Sequence, residues 1–256
     1  MATKHKIEWT EQTWNPTAGC TKISTGCKNC YAETMAIRLQ AIGVRGYENG
    51  FQFSIVPERL NEPLKRKKPT VYFVNSMSDL FHSDMPGDYL DQIFEVIRKT
   101  PYHTYQILTK RADKMFAYFK NKEIPENIWL GVTVENKKDG LPRIDFLRRL
   151  KASVLFLSVE PLLEDLGKIN LANIDWVIVG GESGPKARPM DKEWVVNIKK
   201  QCNENNIAFF FKQWGTWGVD RVKRNKKLNG KELEGKIWQE YPETIKKQFV
   251  VEVMEN

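Results

Sequence analysis

The chain has 256 residues, of which 41% are hydrophobic and 28% are charged, and its formal net charge is +8. It can bury a sizeable core, and a bilayer-spanning helix is excluded because no apolar run approaches the roughly 20 residues required. The sequence opens without a charged-then-apolar leader, so we expect a cytoplasmic protein with reduced cysteines and no membrane partner. The positive charge favours a polyanionic partner, either nucleic acid or a phosphorylated substrate.

Basic residues cluster in two runs, residues 65–68 and the neighbourhood of residues 221–227. Runs of this kind are usually solvated surface. Each run is also a candidate contact for the backbone of a nucleic acid.

The first feature along the chain is a group of three cysteines, Cys20, Cys27 and Cys30, within eleven residues. The preceding residues 6–19 alternate roughly between apolar and polar and are expected to deliver the loop as a strand or extended arm. The C-x6-C-x2-C spacing allows three thiolates to face one point. Such a set suits zinc with a fourth ligand from elsewhere, or a four-iron cluster with one iron left open.

A helix is predicted immediately after the third cysteine. Helix-forming residues dominate positions 31–39, and Tyr31, Met35 and Leu39 recur at the spacing of one helical face. The dipole at the start of this helix would lie beside the cysteine sulfurs and favour their thiolate form.

From residue 71 onward, a short apolar run followed by a helical stretch recurs six times. Nearly continuous apolar character is typical of strands buried on both faces of a parallel sheet. With one strand before the cysteines, about seven parallel strands predict an α/β fold, either a closed or a partial (β/α) barrel, and an open doubly wound sheet is the alternative. The six runs are residues 71–74, 105–108, 128–132, 154–157, 176–179 and 208–211.

The fourth cysteine, Cys202, shares an apolar helical stripe with Trp194, Val195 and Ile198. This position predicts a core residue rather than a fourth metal ligand.

Two regions are expected along the chain. Residues 1–215 would form the barrel with its N-terminal cysteine loop, and residues 216–256 would form an extension packed on it. The Asn229-Gly230 pair predicts a β-hairpin turn within this extension.

Polar, charged or glycine residues follow every predicted strand from residue 71 onward. Because ligands of (β/α) barrels gather at the carboxyl ends of the strands, these residues predict one polar pocket for substrate or cofactor. Lys110, Arg111 and Lys212 could hold a phosphate or carboxylate there, and the double glycine before Glu182 would let backbone amides approach a ligand. The predicted pocket residues are Asn75, Ser76, Ser78, Asp79, Lys110, Arg111, Glu135, Glu160, Gly180, Gly181, Glu182, Lys212 and Gln213.

Motifs distributed over roughly residues 5–240 resemble the three-cysteine-motif phage family, which occurs in phages and bacterial genomes and lacks an established reaction. That family is similar to radical S-adenosylmethionine (SAM) enzymes, whose partial barrels hold a 4Fe-4S cluster through three cysteines after the first strand. The resemblance is carried by residues 14–16, 20, 27–33, 74–82, 106–111, 180–190 and 210–215.

The resemblance implies that Cys20, Cys27 and Cys30 are cluster ligands and that SAM is a second cofactor. Two features differ from the common radical SAM pattern. The first cysteine gap is six residues rather than three, and the Gly-Gly-Glu element at 180–182 follows a late strand rather than the second one. The role of Glu182 is therefore left open.

Three functions compete at this point. The first is a radical SAM-like iron-sulfur enzyme with an anionic substrate and a reductant protein as partner. The second is a hydrolytic or nucleic-acid-binding barrel stabilised by zinc, with His5, His82 or an acidic side chain as the fourth ligand. The third is a nucleic-acid-binding protein without chemistry, and the sequence sets no oligomeric state.

Overall fold

The computed structural model describes residues 7–243 of the chain, so His5 lies outside the described residues. The strands are β1 (Gln12–Trp14), β2 (Thr17–Ala18), β3 (Ser54–Ile55), β4 (Val71–Val74), β5 (Thr104–Thr109), β6 (Ile128–Thr133), β7 (Val154–Val159), β8 (Trp176–Gly180), β9 (Ala208–Gln213), β10 (Glu232–Leu233) and β11 (Lys236–Ile237). The helices are α1 (Tyr31–Ala41), α2 (Glu62–Lys65), α3 (Gly87–Lys99), α4 (Ala112–Phe119), α5 (Lys137–Leu147), α6 (Lys192–Glu204) and α7 (Lys226–Asn229).

Seven strands form one sheet in the order β1-β4-β5-β6-β7-β8-β9. Parallel register is seen, for example, where Val71 lies opposite Thr104 and where Phe156 lies opposite Trp176. The spatial order follows the chain order without the reversal that defines a doubly wound sheet. The sheet curls into a half-barrel, which confirms the predicted α/β partial barrel and shows that the doubly wound alternative is wrong.

The chain is divided into two compact units. Unit 1 contains residues 7–23 and 30–130, and unit 2 contains residues 24–29 and 131–243. No helix within residues 7–243 combines the length and the apolar character needed to cross a bilayer.

The core of unit 1 contains buried apolar residues of its strands and of α3. Helix α3 has one apolar face, on which Leu90, Ile93, Phe94 and Ile97 are all buried. Trp14, at the end of β1, is fully buried, and its indole N–H donates to the carbonyl of Arg59 at 2.8 Å. The hydrogen bond satisfies the one polar group of a large apolar side chain.

Helix α1 begins immediately after Cys30, as predicted, but only part of its expected apolar face is buried, since Leu39 is partly buried and packs against the cluster that contains Ala36. Tyr31 is 61% exposed, and the helix buries Ala32 and Ala36 instead. The small Ala36 side chain packs in a cluster with Tyr47. An exposed Tyr31 is stabilised differently, because its hydroxyl donates to the carbonyl of Ser76.

Unit 2 has an aromatic core. Phe156, Trp176 and three consecutive phenylalanines of β9 are fully buried. Cys202 lies on the inner face of α6 with an exposed fraction of 0%, which confirms that it is a core residue.

The buried Cys202 should be chemically inert in the folded protein. Burial, followed by the charge of Glu240, raises the pKa of its thiol from 9.0 to about 12. Since the thiolate is the nucleophile, we expect iodoacetamide at pH 8.5 to modify three cysteines in metal-free folded protein and four in denaturant. Mass spectrometry counts the adducts, and a fourth adduct on folded protein would contradict this expectation.

The raised pKa of the Cys202 thiol also predicts a loss of stability at high pH. Between pH 9 and about pH 12 the folded state retains the Cys202 proton while the unfolded state releases it. The free energy of unfolding should therefore fall as the pH rises through this window. Urea denaturation of the Cys202→Ala variant over the same window should show a smaller decrease.

The C-terminal hairpin is present, but its turn differs from the predicted one. Strands β10 and β11 are antiparallel and are joined by Glu234 and Gly235, whose φ angles are 54° and 74°. Two successive positive φ angles suit the twist of a two-residue hairpin. The Asn229-Gly230 pair instead ends α7, where Gly230 has a φ of 69°, because glycine also suits a helix C-terminus.

Candidate cysteine-loop site

The cysteine loop contains a 3-10 turn at Thr25–Cys27. All four cysteines of the chain carry thiols rather than disulfides, and Cys20, Cys27 and Cys30 are partly exposed. Cys20 and Cys30 belong to unit 1, whereas Cys27 belongs to unit 2. Within residues 7–243, no three His, Cys, Asp or Glu side chains are already arranged as a set of metal ligands.

In unit 1 the guanidinium of Arg111 contacts the cysteine loop directly. Its Nη1 lies 3.6 Å from the Sγ of Cys20 and 3.0 Å from Oδ2 of Asp79. Its Nη2 donates to the Thr21 hydroxyl at 2.8 Å and to the Thr21 carbonyl at 3.2 Å. Arg111, which follows β5, therefore holds the first cysteine and its neighbour at the carboxyl end of that strand.

Asp79 fixes the position of this arginine. Its carboxylate also accepts from the Thr109 hydroxyl at 2.7 Å and from the backbone N–H groups of Phe81 at 3.0 Å and Lys110 at 3.2 Å. Burial alone would lower the pKa of Arg111, but Asp79 and then Cys20 outweigh it and raise the pKa. The guanidinium is consequently a permanent cation beside the Cys20 sulfur.

His82, one of the candidate zinc ligands, contacts the cysteine loop in unit 1. Its Nε2 lies 3.0 Å from the Thr21 hydroxyl, and its ring stacks on Phe53 at 4.4 Å. Burial, with a smaller effect of Arg111, lowers its pKa, so His82 is neutral at physiological pH. These contacts give the histidine a structural role beside the cysteine loop.

The segment after β4 supplies further polar groups. The Ser78 hydroxyl donates to the Gly19 carbonyl at 2.7 Å, and the Ser76 hydroxyl donates to the side chain of Asn15 at 3.1 Å. Asn75 has a φ of 59°, and neither polar atom of its buried side chain has a hydrogen-bond partner in the described part of the chain. Since buried amides nearly always form hydrogen bonds, Asn75 is suited to a polar group of a ligand.

In unit 2 the end of β6 holds the segment 24–29. The Ser24 hydroxyl donates to Oε1 of Glu135, a fully buried carboxylate whose Oε2 accepts from Nη1 of Arg143 at 2.6 Å. Asn136 donates to the Thr25 hydroxyl at 2.7 Å. Gly26 packs so closely that a Cβ at this position would lie 2.9 Å from Glu135.

The residues after β8 hold the same segment of unit 2. Glu182 accepts from Arg188 at 2.6 Å through Oε1, and from the Asn29 amide at 3.1 Å through Oε2. Arg188 in turn donates to the carbonyl of Thr25 at 3.0 Å. Burial alone would raise the pKa of Glu182, but hydrogen bonds from Arg188 and Asn29 outweigh it and lower the pKa, so the carboxylate is ionised.

The double glycine has a backbone explanation. The N–H of Gly181 donates to the carbonyl of Gln213 at 2.9 Å. A Cβ on Gly181 would overlap the carbonyl of Trp214, so only glycine permits this close approach of β9 to β8.

Glu160 and Lys212, two further predicted pocket residues of unit 2, contact each other. The ammonium of Lys212 lies 2.8 and 2.9 Å from the two carboxylate oxygens of Glu160. Gln213 donates to the Ser183 hydroxyl at 3.3 Å. That Lys110, Arg111 and Lys212 face one pocket stays a prediction.

Several residues whose hydrogen bonds hold the cysteine loop in place were not predicted from the sequence. Asn29 and Arg188 lie inside the motifs that carry the family resemblance, so the motifs themselves could have indicated them. Arg143, inside α5, had no such signal. The residues missed are Ser24, Thr25, Asn29, Asn136, Arg143 and Arg188.

Fold and loop together define an α/β half-barrel protein with three partly exposed thiols in an N-terminal loop. The chain belongs to the DUF5131 family, described as proteins of unknown function, whose sequence profile matches residues 4–242. No functionally curated protein matched the sequence.

Among solved structures, the chain is similar to spore photoproduct lyase complexed with dinucleoside spore photoproduct. That comparison has a TM-score of 0.37 and 11% identity, and covers 73% of this chain and 59% of the lyase. A mutant of the lyase with bound AdoMet and dinucleoside spore photoproduct has a TM-score of 0.40 and 13% identity, with 75% and 61% covered. The chain thus spans about three-fifths of the length of these lyases.

Proposed function

We propose that the protein is a radical SAM-like enzyme in which Cys20, Cys27 and Cys30 bind a 4Fe-4S cluster. The observation that carries the proposal is the division of the four thiols: three are partly exposed within eleven residues, and the fourth is buried in the core. Three thiolates suit a cluster with one open iron, so the donor set fits the group. Such a cluster supplies an iron that binds the amino and carboxylate groups of SAM and an electron whose transfer cleaves SAM to methionine and a hydrogen-abstracting adenosyl radical.

The surroundings of Cys20 support this role. The charged N–H of Arg111 aimed at the sulfur favours the thiolate, and hydrogen bonds to ligand sulfurs tune the potential of iron-sulfur clusters. Asp79 orients Arg111 through a buried contact of 3.0 Å. Metal centres typically contain such residues, which hydrogen-bond to the ligands and thereby orient them and tune the metal.

The surroundings of Cys27 and Cys30 support it independently. Cys27 lies in a segment held through Ser24, Thr25 and Asn29 by carboxylate or amide side chains of unit 2. Cys30 precedes the first turn of α1, where the helix dipole stabilises negative charge. Such preorganisation lowers the cost of ordering a ligand loop around a metal.

The substrate is proposed to be anionic and related to nucleic acid. Asn75 is the candidate for a polar group of SAM or substrate, because its buried amide lacks a partner among residues 7–243. Lys110, which is partly exposed at the end of β5, is the candidate for a phosphate. A reductant protein would supply the electron.

Cleavage of SAM tests the proposal. Protein reconstituted anaerobically with iron and sulfide, reduced with dithionite and given SAM should form 5′-deoxyadenosine and methionine, which chromatography quantifies. Cys202→Ala should retain this activity, and Cys27→Ala should lack it. A cluster-loaded wild-type protein that neither binds nor cleaves SAM would contradict the proposed function.

A further inference from the structure

An exposed cationic loop follows the last strand of the parallel sheet. Residues 216–229, here called the basic loop, contain five basic residues and one acidic residue. Every residue from 219 to 228 is exposed. The loop therefore presents its charge to solvent and contributes little to the core of unit 2.

The basic loop is nevertheless well ordered by its own hydrogen bonds. The N–H of Gly218 donates to Val222 at 3.0 Å, and the N–H of Arg224 donates to Thr216 at 2.9 Å. The Asn229 side chain closes the loop by donating to the carbonyls of Gly215 at 3.0 Å and Thr216 at 2.9 Å. A loop that is already ordered loses little conformational entropy when it binds a partner.

Its positive charge is only partly neutralised. Arg221 pairs with Asp191, and Arg224 pairs with Asp220. Among residues 7–243, no carboxylate pairs with Lys223, Lys226 or Lys227, and the Lys223 ammonium lies 4.8 Å from the centre of the Trp217 ring. Three cations are thus available to an external anion.

Aliphatic side chains are interspersed among these cations. Val219, Val222 and Leu228 are 55%, 46% and 77% exposed. Apolar side chains between cations can contact the sugars and base edges that lie between the phosphates of a nucleic acid. The aromatic residue of the loop, Trp217, is unsuited to insertion into a lipid surface, because its indole N–H is bonded to the Ala187 carbonyl at 2.7 Å.

The basic loop is attached directly to the carboxyl end of β8. The N–H of Thr216 donates to the carbonyl of Glu182 at 2.9 Å, and its hydroxyl accepts from the N–H of Gly184 at 2.9 Å. The neighbouring Lys186 is also exposed. A polyanion on the basic loop would therefore lie beside the residues that hold the cysteine segment of unit 2.

We propose that the basic loop is a docking surface for the sugar-phosphate backbone of a nucleic acid, contacted through Lys223, Lys226 and Lys227. The contact is independent of base sequence, because phosphate contacts carry no direct sequence information. Its link to catalysis rests on the proposed function, whereas the docking itself does not.

Fluorescence anisotropy of the full chain with labelled single-stranded DNA and RNA, over a range of salt concentrations, tests the proposal. Affinity should fall linearly with salt on logarithmic axes. The Lys226→Gln/Lys227→Gln variant should bind nucleic acid about tenfold more weakly than the wild type at 0.1 M salt. It should also reduce the magnitude of the slope of log affinity against log salt concentration by about 1.4, since each phosphate contact contributes about 0.7 to that slope. The matched control, Lys114→Gln/Lys120→Gln, removes the same charge from exposed positions of unit 1 and should leave both quantities nearly unchanged.

Phosphatidylserine vesicles serve as a second anionic ligand for the same variants. Three results would overturn the docking proposal. These are equal weakening of nucleic-acid binding by both double variants, an affinity for nucleic acid that is insensitive to salt, and a Lys226→Gln/Lys227→Gln variant that binds vesicles more weakly but nucleic acid as well as the wild type does. Iron content measured on the same preparations separates this proposal from the proposed function. Protein that binds nucleic acid without taking up a cluster overturns only the enzyme. Cluster-loaded protein that fails to bind nucleic acid overturns only the docking surface.

Discussion

Replacing Cys20, Cys27 or Cys30 by alanine is expected to abolish iron uptake during anaerobic reconstitution, because two thiolates do not hold a four-iron cluster. Cys202→Ala should take up as much iron as the wild type, since that thiol is fully buried on α6. Iron and sulfide per chain, measured chemically beside the absorbance of the cluster, provide the comparison.

Stability measurements make this result interpretable. Cys202→Ala should cost about 1 kcal/mol of unfolding free energy through lost packing, and the three loop variants should remain folded because their thiols are partly exposed. Loss of metal from folded Cys202→Ala would mean four thiolate ligands. A cluster with four thiolates has no open iron for SAM, so that outcome would remove the proposed enzyme.

The second large effect is a loss of stability, which is expected when Glu135 is substituted. Its side chain is fully buried and is paired at 2.6 Å with Arg143, whose side chain is 9% exposed. Glu135→Gln leaves the arginine charge buried without its partner, which typically costs about 3–5 kcal/mol. It also weakens the contact that holds Ser24, and urea denaturation measures the change in unfolding free energy.

Two controls accompany the Glu135 variant. Glu204→Gln removes an exposed carboxylate that lies 3.8 Å from Lys200, and should change stability by about 0–1 kcal/mol. Glu135→Gln/Arg143→Met removes both buried charges and should recover much of the lost stability. A Glu135→Gln variant as stable as Glu204→Gln would show that the buried pair contributes little.

Periodic patterns in the sequence were sufficient to predict the barrel. Each apolar run from residue 71 to residue 211 became a strand of the sheet, because burial on both faces demands continuous apolar residues. The buried position of Cys202 followed from helical spacing. These features depend on neighbours along the chain, which a sequence shows directly.

Short-range signals failed where two structures compete for the same residues. Asn229-Gly230 suits a hairpin turn and a helix end equally well, and the structure uses it for the end of α7. The position of Tyr31 in α1 was mispredicted because a large apolar residue was expected inside, whereas the residues that α1 buries are Ala32 and Ala36.

The contacts of the cysteine loop could not be predicted because they join residues far apart in the chain. Ser24 and Glu135 are 111 residues apart, and Asn29 and Glu182 are 153 residues apart. The sequence indicated that Glu135 and Glu182 lie at strand ends. The sequence did not indicate which side chains would donate hydrogen bonds to these carboxylates, because that depends on tertiary packing that no local pattern encodes.

The metal content of the wild-type protein tests the central claim most directly. Protein purified without oxygen and reconstituted with iron and sulfide should be brown and contain about four irons and four sulfides per chain. Stoichiometric zinc after the same purification, with no uptake of iron or sulfide, would contradict the account and leave a zinc-stabilised barrel in its place.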